Sequence, residues 1–515
     1  MTGIRPRNFS ERQRLVKAAE AKRPRHPGVL LLKRLRRKKR QLRYSPIKYV
    51  DKVVPHEFVP CRIFRRGFSL SRGAEERRTF MKKSGNAFIA IGLMLFALFF
   101  GAGNLIFPVF MGQNSGVNTI PATIGFLVTG VGLPILGVAA IGYSGNDLQG
   151  LASRISRPYA IFFAVCLYLT IGPAFAIPRT ATTSFEIAIA PFFGSAMKTT
   201  ALYGFCALFF IVSWWLSVTP SKLVDRIGKV ITPVLLLFLA GLFVFSTVSP
   251  MGPWQEATAG YQPSMKALTQ GFIDGYGTMD VLAAFVFGII VVNAVRQYGA
   301  ETPEEVAAST LRSGLIAGLC LGIIYIFLCI LGASSVTVLG MQDNGAGVLV
   351  GAANHYFGSF GNIVMGVIVL LACLTTSVGL ITSCGEYFSR LLPFLSFKKW
   401  VTVFAFVSFL VGLFGLTTII KAAIPVLMFL YPLAIALIIL SFTNSFFDGS
   451  RIVYRMAILF TFIPSLYDGI HTAGLALGGI DAFMKGLPFA AHGLAWVSFF
   501  IVGYVIGIVL SKVRK

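Results

Sequence analysis

Charged side chains are scarce in this 515-residue chain, at 13% of residues, whereas 55% are hydrophobic. The mean hydropathy is +0.75. A soluble domain of this length needs far more polar surface, so a soluble fold is excluded. Histidines number 5 and cysteines 7. No Cys-x-x-Cys pair occurs, and every cysteine except Cys61 falls inside an apolar run. Cys166, Cys206, Cys320, Cys329, Cys373 and Cys384 therefore read as small packing residues, not as disulfide or metal ligands. His355, His471 and His492 lie too far apart in sequence for ligand spacing. Phosphate loop, dinucleotide fingerprint and nucleophile elbow are all missing. Without a stretch to house a nucleotide site, an ATP-driven pump is excluded. No enzyme activity and no cofactor are expected.

What the chain does have is long apolar runs. A membrane helix needs roughly 20 mostly apolar residues. Twelve such runs are predicted, at about 87–111, 120–142, 158–178, 200–218, 230–248, 279–296, 313–335, 360–385, 400–420, 423–442, 453–468 and 491–511. Nothing alternates with period two over repeated ten-residue segments, which argues against an outer-membrane barrel. The even-numbered loops and the tail carry fifteen Lys and Arg, the odd-numbered loops five, with Arg179 counted among the five. The positive-inside rule then puts both termini in the cytoplasm. The expected setting is the bacterial inner membrane.

A net charge of +26 invites a nucleic-acid reading, but its distribution argues otherwise. Residues 1–80 hold 24 Lys and Arg against 6 Asp and Glu. This arm, with "LLKRLRRKKRQLRYSP" at 31–46, reads as a disordered basic extension able to touch anionic lipid, with no specific nucleic-acid partner. Met81 opens "MKKSGNAFIAIG", a start residue and two lysines before the first span. The expectation is an extension over 1–80 and a membrane-spanning domain over 81–515.

Inside the first span, "FFGAGNLIFP" (99–108) gathers Gly101, Gly103, Asn104 and Pro108 within eight residues. Open backbone at membrane depth survives only where it is buried in protein or lines a polar cavity. Broken there, the helix offers N–H groups to an anion and carbonyls to a cation. That is the machinery of secondary transporters with discontinuous helices. Inverted repeats place a second break five spans later. In span six the Phe287-Gly288 step, with Asn293 soon after, is the candidate. Span eight adds adjacent hydroxyls at Thr375, Thr376 and Ser377. They either bond back to their own helix or supply oxygen ligands to Na+. Asp280 precedes Gly288 by eight residues, about 12 Å of helix, near the outer end of the span and away from the site. It reads as a helix N-terminal charge or as part of an external gate facing Arg179. Glu386 reads as a surface pair with Arg390 at i+4, or as an internal gate.

These segments, together with "GPAFAIPRTATTSFEIAIAP" (172–191), "GYGTMDVLAAFVFGIIVVNA" (275–294) and "LTTSVGLITSCGEYF" (374–388), resemble the branched-chain amino acid:cation symporter family. Its members are bacterial carriers for leucine, isoleucine and valine. The resemblance runs from about Met81 to the C-terminus, and the basic arm departs from it. It implies an all-helical, leucine-transporter-like core. Two five-helix inverted repeats, about 87–248 and 279–442, carry broken helices one and six, and peripheral helices span about 453–511. Coupling to Na+, sometimes H+, is implied. So is a Na+ site from the carbonyls of Ala97, Phe100 and Ala372 and the hydroxyls of Thr375 and Thr376. The substrate carboxylate is expected near the N–H groups of Ala102, Gly103 and Asn104. Its ammonium is expected near carbonyls at Phe287 and Gly288, and its alkyl chain among spans three, six and eight. The alternatives are an H+-coupled carrier of other small apolar amino acids and a non-transporting sensor of the same fold.

Overall fold

The computed structural model describes residues 88–145, 147–218, 222–300, 302–475 and 478–513, and the regular elements among them are helices. The expected extension over 1–80 lies outside the described residues. Among the described residues eight helical stretches are long and apolar enough to cross a membrane, and two more, Phe88–Phe99 and Leu236–Val248, are apolar but shorter.

Span one breaks where its glycines predict. Helix α1 (Phe88–Phe99) stops, Gly101 is extended (φ −132°, ψ −167°), and α2 (Ala102–Ser115) begins. The Gly101 N–H, which in a continuous helix would bond to the Ala97 carbonyl, instead donates to Asn104 Oδ1 at 3.1 Å. This is the reciprocal half of a capping box. Pro108 within α2 has no N–H to offer the Asn104 carbonyl.

After α3 (Thr119–Leu127), a π-turn at Val128–Gly132 leads into α4 (Leu133–Ser144). The short α5 (Leu148–Ala152) is capped by Asp147, which accepts from the Gly150 N–H at 2.8 Å. Helix α6 (Arg157–Leu169) starts at Ser156, whose Oγ accepts from the Tyr159 N–H at 3.2 Å. Span three then departs from the regular helix expected over 158–178. A wide turn at Thr170–Ala174 takes Gly172 out of helical geometry (φ −95°, ψ −127°) before α7 (Ala176–Ala188). Pro173 supplies the cause, because it cannot donate to the preceding turn.

Helices α8 (Ser195–Val218) and α9 (Lys222–Val248) follow. Next come α10 (Ser264–Asp274), a 3-10 turn at Gly275–Thr278, Met279 in the left-handed region (φ 65°) and α11 (Asp280–Gln297). The second break is therefore at Gly275–Met279. The expectation at Phe287–Gly288 is corrected, since α11 runs unbroken through both residues. A Cβ on Gly288 would fall 2.8 Å from Ile141 Cβ of α4, so this glycine lets two helices approach.

Helix α12 (Pro303–Leu339) opens on a capping box between Thr302 and Glu305, with bonds of 3.2 and 3.3 Å. The 47-residue α13 (Gly345–Leu391) turns at Gly358, whose φ of 61° suits glycine. The remaining helices are α14 (Phe397–Gly412), α15 (Leu416–Thr443), α16 (Arg451–Thr472), α17 (Gly479–Lys485) and α18 (Ala495–Val513).

Burial places the breaks at the centre. The most apolar windows of Ala102–Ser144 and Asp280–Gln297 are 67% buried, that of α18 only 22%. Freed backbone groups are thus screened from lipid, as they must be. Helix α2 packs on α12, α7 on α13, α4 on α11 and α3 on α10. At the α3–α10 crossing both partners contribute a glycine. A Cβ on Gly125 would land on the Leu268 carbonyl oxygen, and one on Gly271 on that of Ala122. Gly271→Leu is expected to cost about 1–3 kcal/mol through overpacking, read as a lower melting temperature of the purified protein. Gly260→Ala, where a Cβ would meet nothing within 4 Å, is expected to leave it unchanged.

Candidate functional site

The two breaks meet. A small open cavity of about 40 Å³ is lined by Gly101–Asn104 of the first break and Thr278–Asp280 of the second. Arg179 and Thr180 of α7, Phe287 of α11 and Thr376 of α13 complete its polar and aromatic wall. Phe287 and Phe99 face each other with ring centroids 6.3 Å apart.

Asn104 ties the breaks together. Its Oδ1 holds the Gly101 N–H, and its Nδ2 donates to Asp280 Oδ2 at 2.6 Å and to the Tyr325 hydroxyl. Tyr325 of α12 in turn donates to Asp280 Oδ2 at 3.0 Å. Asp280 is 2% exposed and sits at the start of α11, where the helix dipole favours a carboxylate. The expectation that Asp280 lies near the outer end of span six, away from the site, is thus corrected: with the break at Gly275–Met279, it stands beside the cavity.

Arg179 is corrected as well. Read from sequence as an external charge, it is only 5% exposed. Its Nη1 donates to the Gly277 carbonyl at 2.6 Å, and its guanidinium lies over the Phe107 ring at 5.3 Å. Its Nη2 reaches the Thr278 carbonyl only at 3.5 Å, and its buried Nε has no hydrogen-bond partner. A Cβ on Gly103 would lie 2.6 Å from Nη2, so the first break needs glycine there for the arginine to fit. Among the described residues no ion pair joins Arg179 to Asp280.

The residues expected at the cation site lie across the same junction. Thr375 and Thr376 both donate to the Ala372 carbonyl, at 2.8 and 3.1 Å. A Cβ on Gly101 would lie 3.6 Å from Thr376 Oγ1, which puts this hydroxyl against the first break. Phe100 is buried, whereas Ala97 is on an exposed face of α1. Among the described residues no group of three His, Cys, Asp or Glu could hold a metal ion. A cation beside Gly101 would therefore rest on hydroxyl and carbonyl oxygens. Glu386 is not in the cavity; it forms an exposed i,i+4 pair with Arg390 at 3.6 Å.

Gly277 and Met279 entered the sequence reading only as part of the 275–294 segment, with no role at the site, and Tyr325 went unread. One signal was there: Gly101-Ala-Gly103-Asn104 and Gly275-Tyr-Gly277-Thr278 share the Gly-x-Gly step. The polar α10 before the second disguised it as loop.

Comparison with known proteins identifies a family. The family described as "Branched-chain amino acid transport protein" matches residues 84–514. The branched-chain amino acid permease BrnQ of Bacillus subtilis is 46% identical over 435 residues, 84% of this chain and 98% of that protein. The branched-chain amino acid transport system 2 carrier protein of Pseudomonas aeruginosa is 41% identical, over 82% of this chain and 96% of that one. Among solved structures, the inward-facing conformation of Mhp1 superimposes with a TM-score of 0.53 at 15% identity, covering 82% of this chain and 90% of that one. The likeness to Mhp1 shows a shared fold.

Proposed function

This chain belongs to the family of branched-chain amino acid transport proteins, and we propose that it imports leucine, isoleucine and valine by Na+ symport with alternating access. The observation that carries the reading is the junction of two helix breaks around one cavity, with Thr376 against the first break. Helix ends supply N–H groups to a substrate carboxylate, and the carbonyls before Gly101, with the hydroxyls of Thr375 and Thr376, supply oxygens to Na+. Twelve passes in the inner membrane are read from the apolar runs, and cytoplasmic termini from the charge bias. The first five-helix repeat runs from α1 to α9, the second from α10 to α15, and α16 and α18 are peripheral.

The test is uptake of radiolabelled leucine into proteoliposomes. An inward Na+ gradient should drive accumulation, and replacing Na+ by choline at constant pH should abolish it. A proton-coupled importer is the second reading, favoured by the buried Asp280 carboxylate at the cavity. Accumulation that follows an imposed pH gradient and ignores Na+ would establish it instead. Leucine binding without accumulation under either gradient would point to the sensor.

A further inference from the structure

We propose that Arg179 and Asp280 form a zwitterion clamp, in which the guanidinium takes the α-carboxylate of the substrate and the Asp280 carboxylate takes its α-ammonium. The inference rests on the proposed function, since it assigns the amino-acid subsite of that same cavity.

The acceptors decide where an ammonium can go. At an unwound segment the first candidates are free carbonyls, here Gly277 and Thr278. Both face Arg179, whose Nη1 already donates to Gly277 at 2.6 Å. A second cation placed against them would be repelled. The other strong acceptor at the cavity is Asp280. Its bonds from Asn104 and Tyr325 both fall on Oδ2, and Oδ1 carries neither.

The donors decide where the carboxylate goes. Arginine recognises carboxylates best through two parallel N–H bonds. The Nε–Nη2 edge of Arg179 offers such a pair: Nε is buried with no partner, and Nη2 has only the long 3.5 Å contact to Thr278. Of this edge Nη2 lies against Gly103, at the start of α2, where the first N–H groups of a helix lack intrahelical acceptors. Guanidinium and helix end thus attract the same anion.

Charge balance points the same way. One buried cation and one buried anion border the cavity without pairing. A zwitterion adds no net charge and offers each of them an opposite charge, whereas a ligand with one charge leaves the opposite buried charge without a counter-ion, which is costly. The clamp therefore selects α-amino acids before any pocket reads the side chain.

Three ligands test it on the purified full chain: leucine, leucinamide, which lacks the carboxylate, and 4-methylpentanoate, which lacks the ammonium. In the wild-type protein each analogue should bind roughly 10- to 150-fold more weakly than leucine, the loss of a charge-assisted bond. Asp280→Asn keeps shape and acceptor for Asn104 and Tyr325. It should lower leucine affinity to that of 4-methylpentanoate without weakening 4-methylpentanoate itself. Arg179→Lys should lower leucine to the level of leucinamide and spare leucinamide. Melting temperatures are read on the same samples. Analogues that bind the wild type within threefold of leucine would overturn the clamp with no variant needed. So would variants that lose leucine and the matching analogue alike, which marks a purely structural latch. A wild-type protein that binds no leucine at all overturns the proposed function, and the clamp with it.

Discussion

Gly103→Leu should abolish leucine binding while the protein still inserts and folds. A Cβ at this position falls 2.6 Å from Arg179 Nη2 and 3.0 Å from Cζ, closer than packed atoms come. The guanidinium cannot retreat freely, because it is anchored on the Gly277 carbonyl. Even Gly103→Ala must push the arginine off the first break, and Leu would also fill the cavity. The alanine variant should lose roughly 10- to 150-fold in leucine affinity, the worth of one charge-assisted hydrogen bond. Gly101→Ala is the internal control. Gly101 is in extended geometry open to any residue, and its Cβ would meet Thr376 Cγ2 at an ordinary 3.5 Å. It should bind leucine within a few-fold of wild type. Binding titrations and melting curves on both variants decide the matter. Gly103→Ala protein that binds leucine normally would reject the broken-helix site.

Thr376→Val should weaken apparent Na+ affinity by about 5- to 150-fold, the effect of leaving one buried ligand position unfilled, about 1–3 kcal/mol. Valine keeps the shape and removes the oxygen. The hydroxyl now bonds back to its own helix at 3.1 Å, a cheap interaction, so stability should scarcely change. Thr375→Val should do less, because Thr376 borders the cavity and Thr375 does not. Leucine uptake measured against Na+ concentration in both variants checks the order. Unchanged Na+ dependence in both would remove these hydroxyls from the coupling site.

Some of this was legible because it is local. A run of apolar residues long enough for the bilayer fixes a helix within its own length. Gly101, Gly103 and Pro108 undo the hydrogen bonds of that helix within one or two turns, so the first break needs no distant partner to be recognised. The adjacent hydroxyls of span eight are equally visible, being three polar side chains in apolar surroundings.

The second break was misplaced for a physical reason. Its outer arm, α10, carries Ser264, Lys266, Gln270 and Asp274. Hydropathy therefore counts it as loop and begins the span only at about residue 279. What makes it a half-helix is its close crossing with α3 through Gly125 and Gly271, a contact between residues more than a hundred positions apart. The break in span three was readable from Gly172-Pro173, though a proline in a membrane helix is often absorbed as a mild kink. From sequence alone, then, the chain determined its membrane class, its long apolar helices, its first break and its hydroxyl pair, because each depends on neighbours a turn or two away. Only the tertiary structure decided that Arg179 lies against Gly103 and Asp280 against Asn104. Burial and pairing of a charge depend on which helices meet, and no local hydrogen bond or hydropathy window records that.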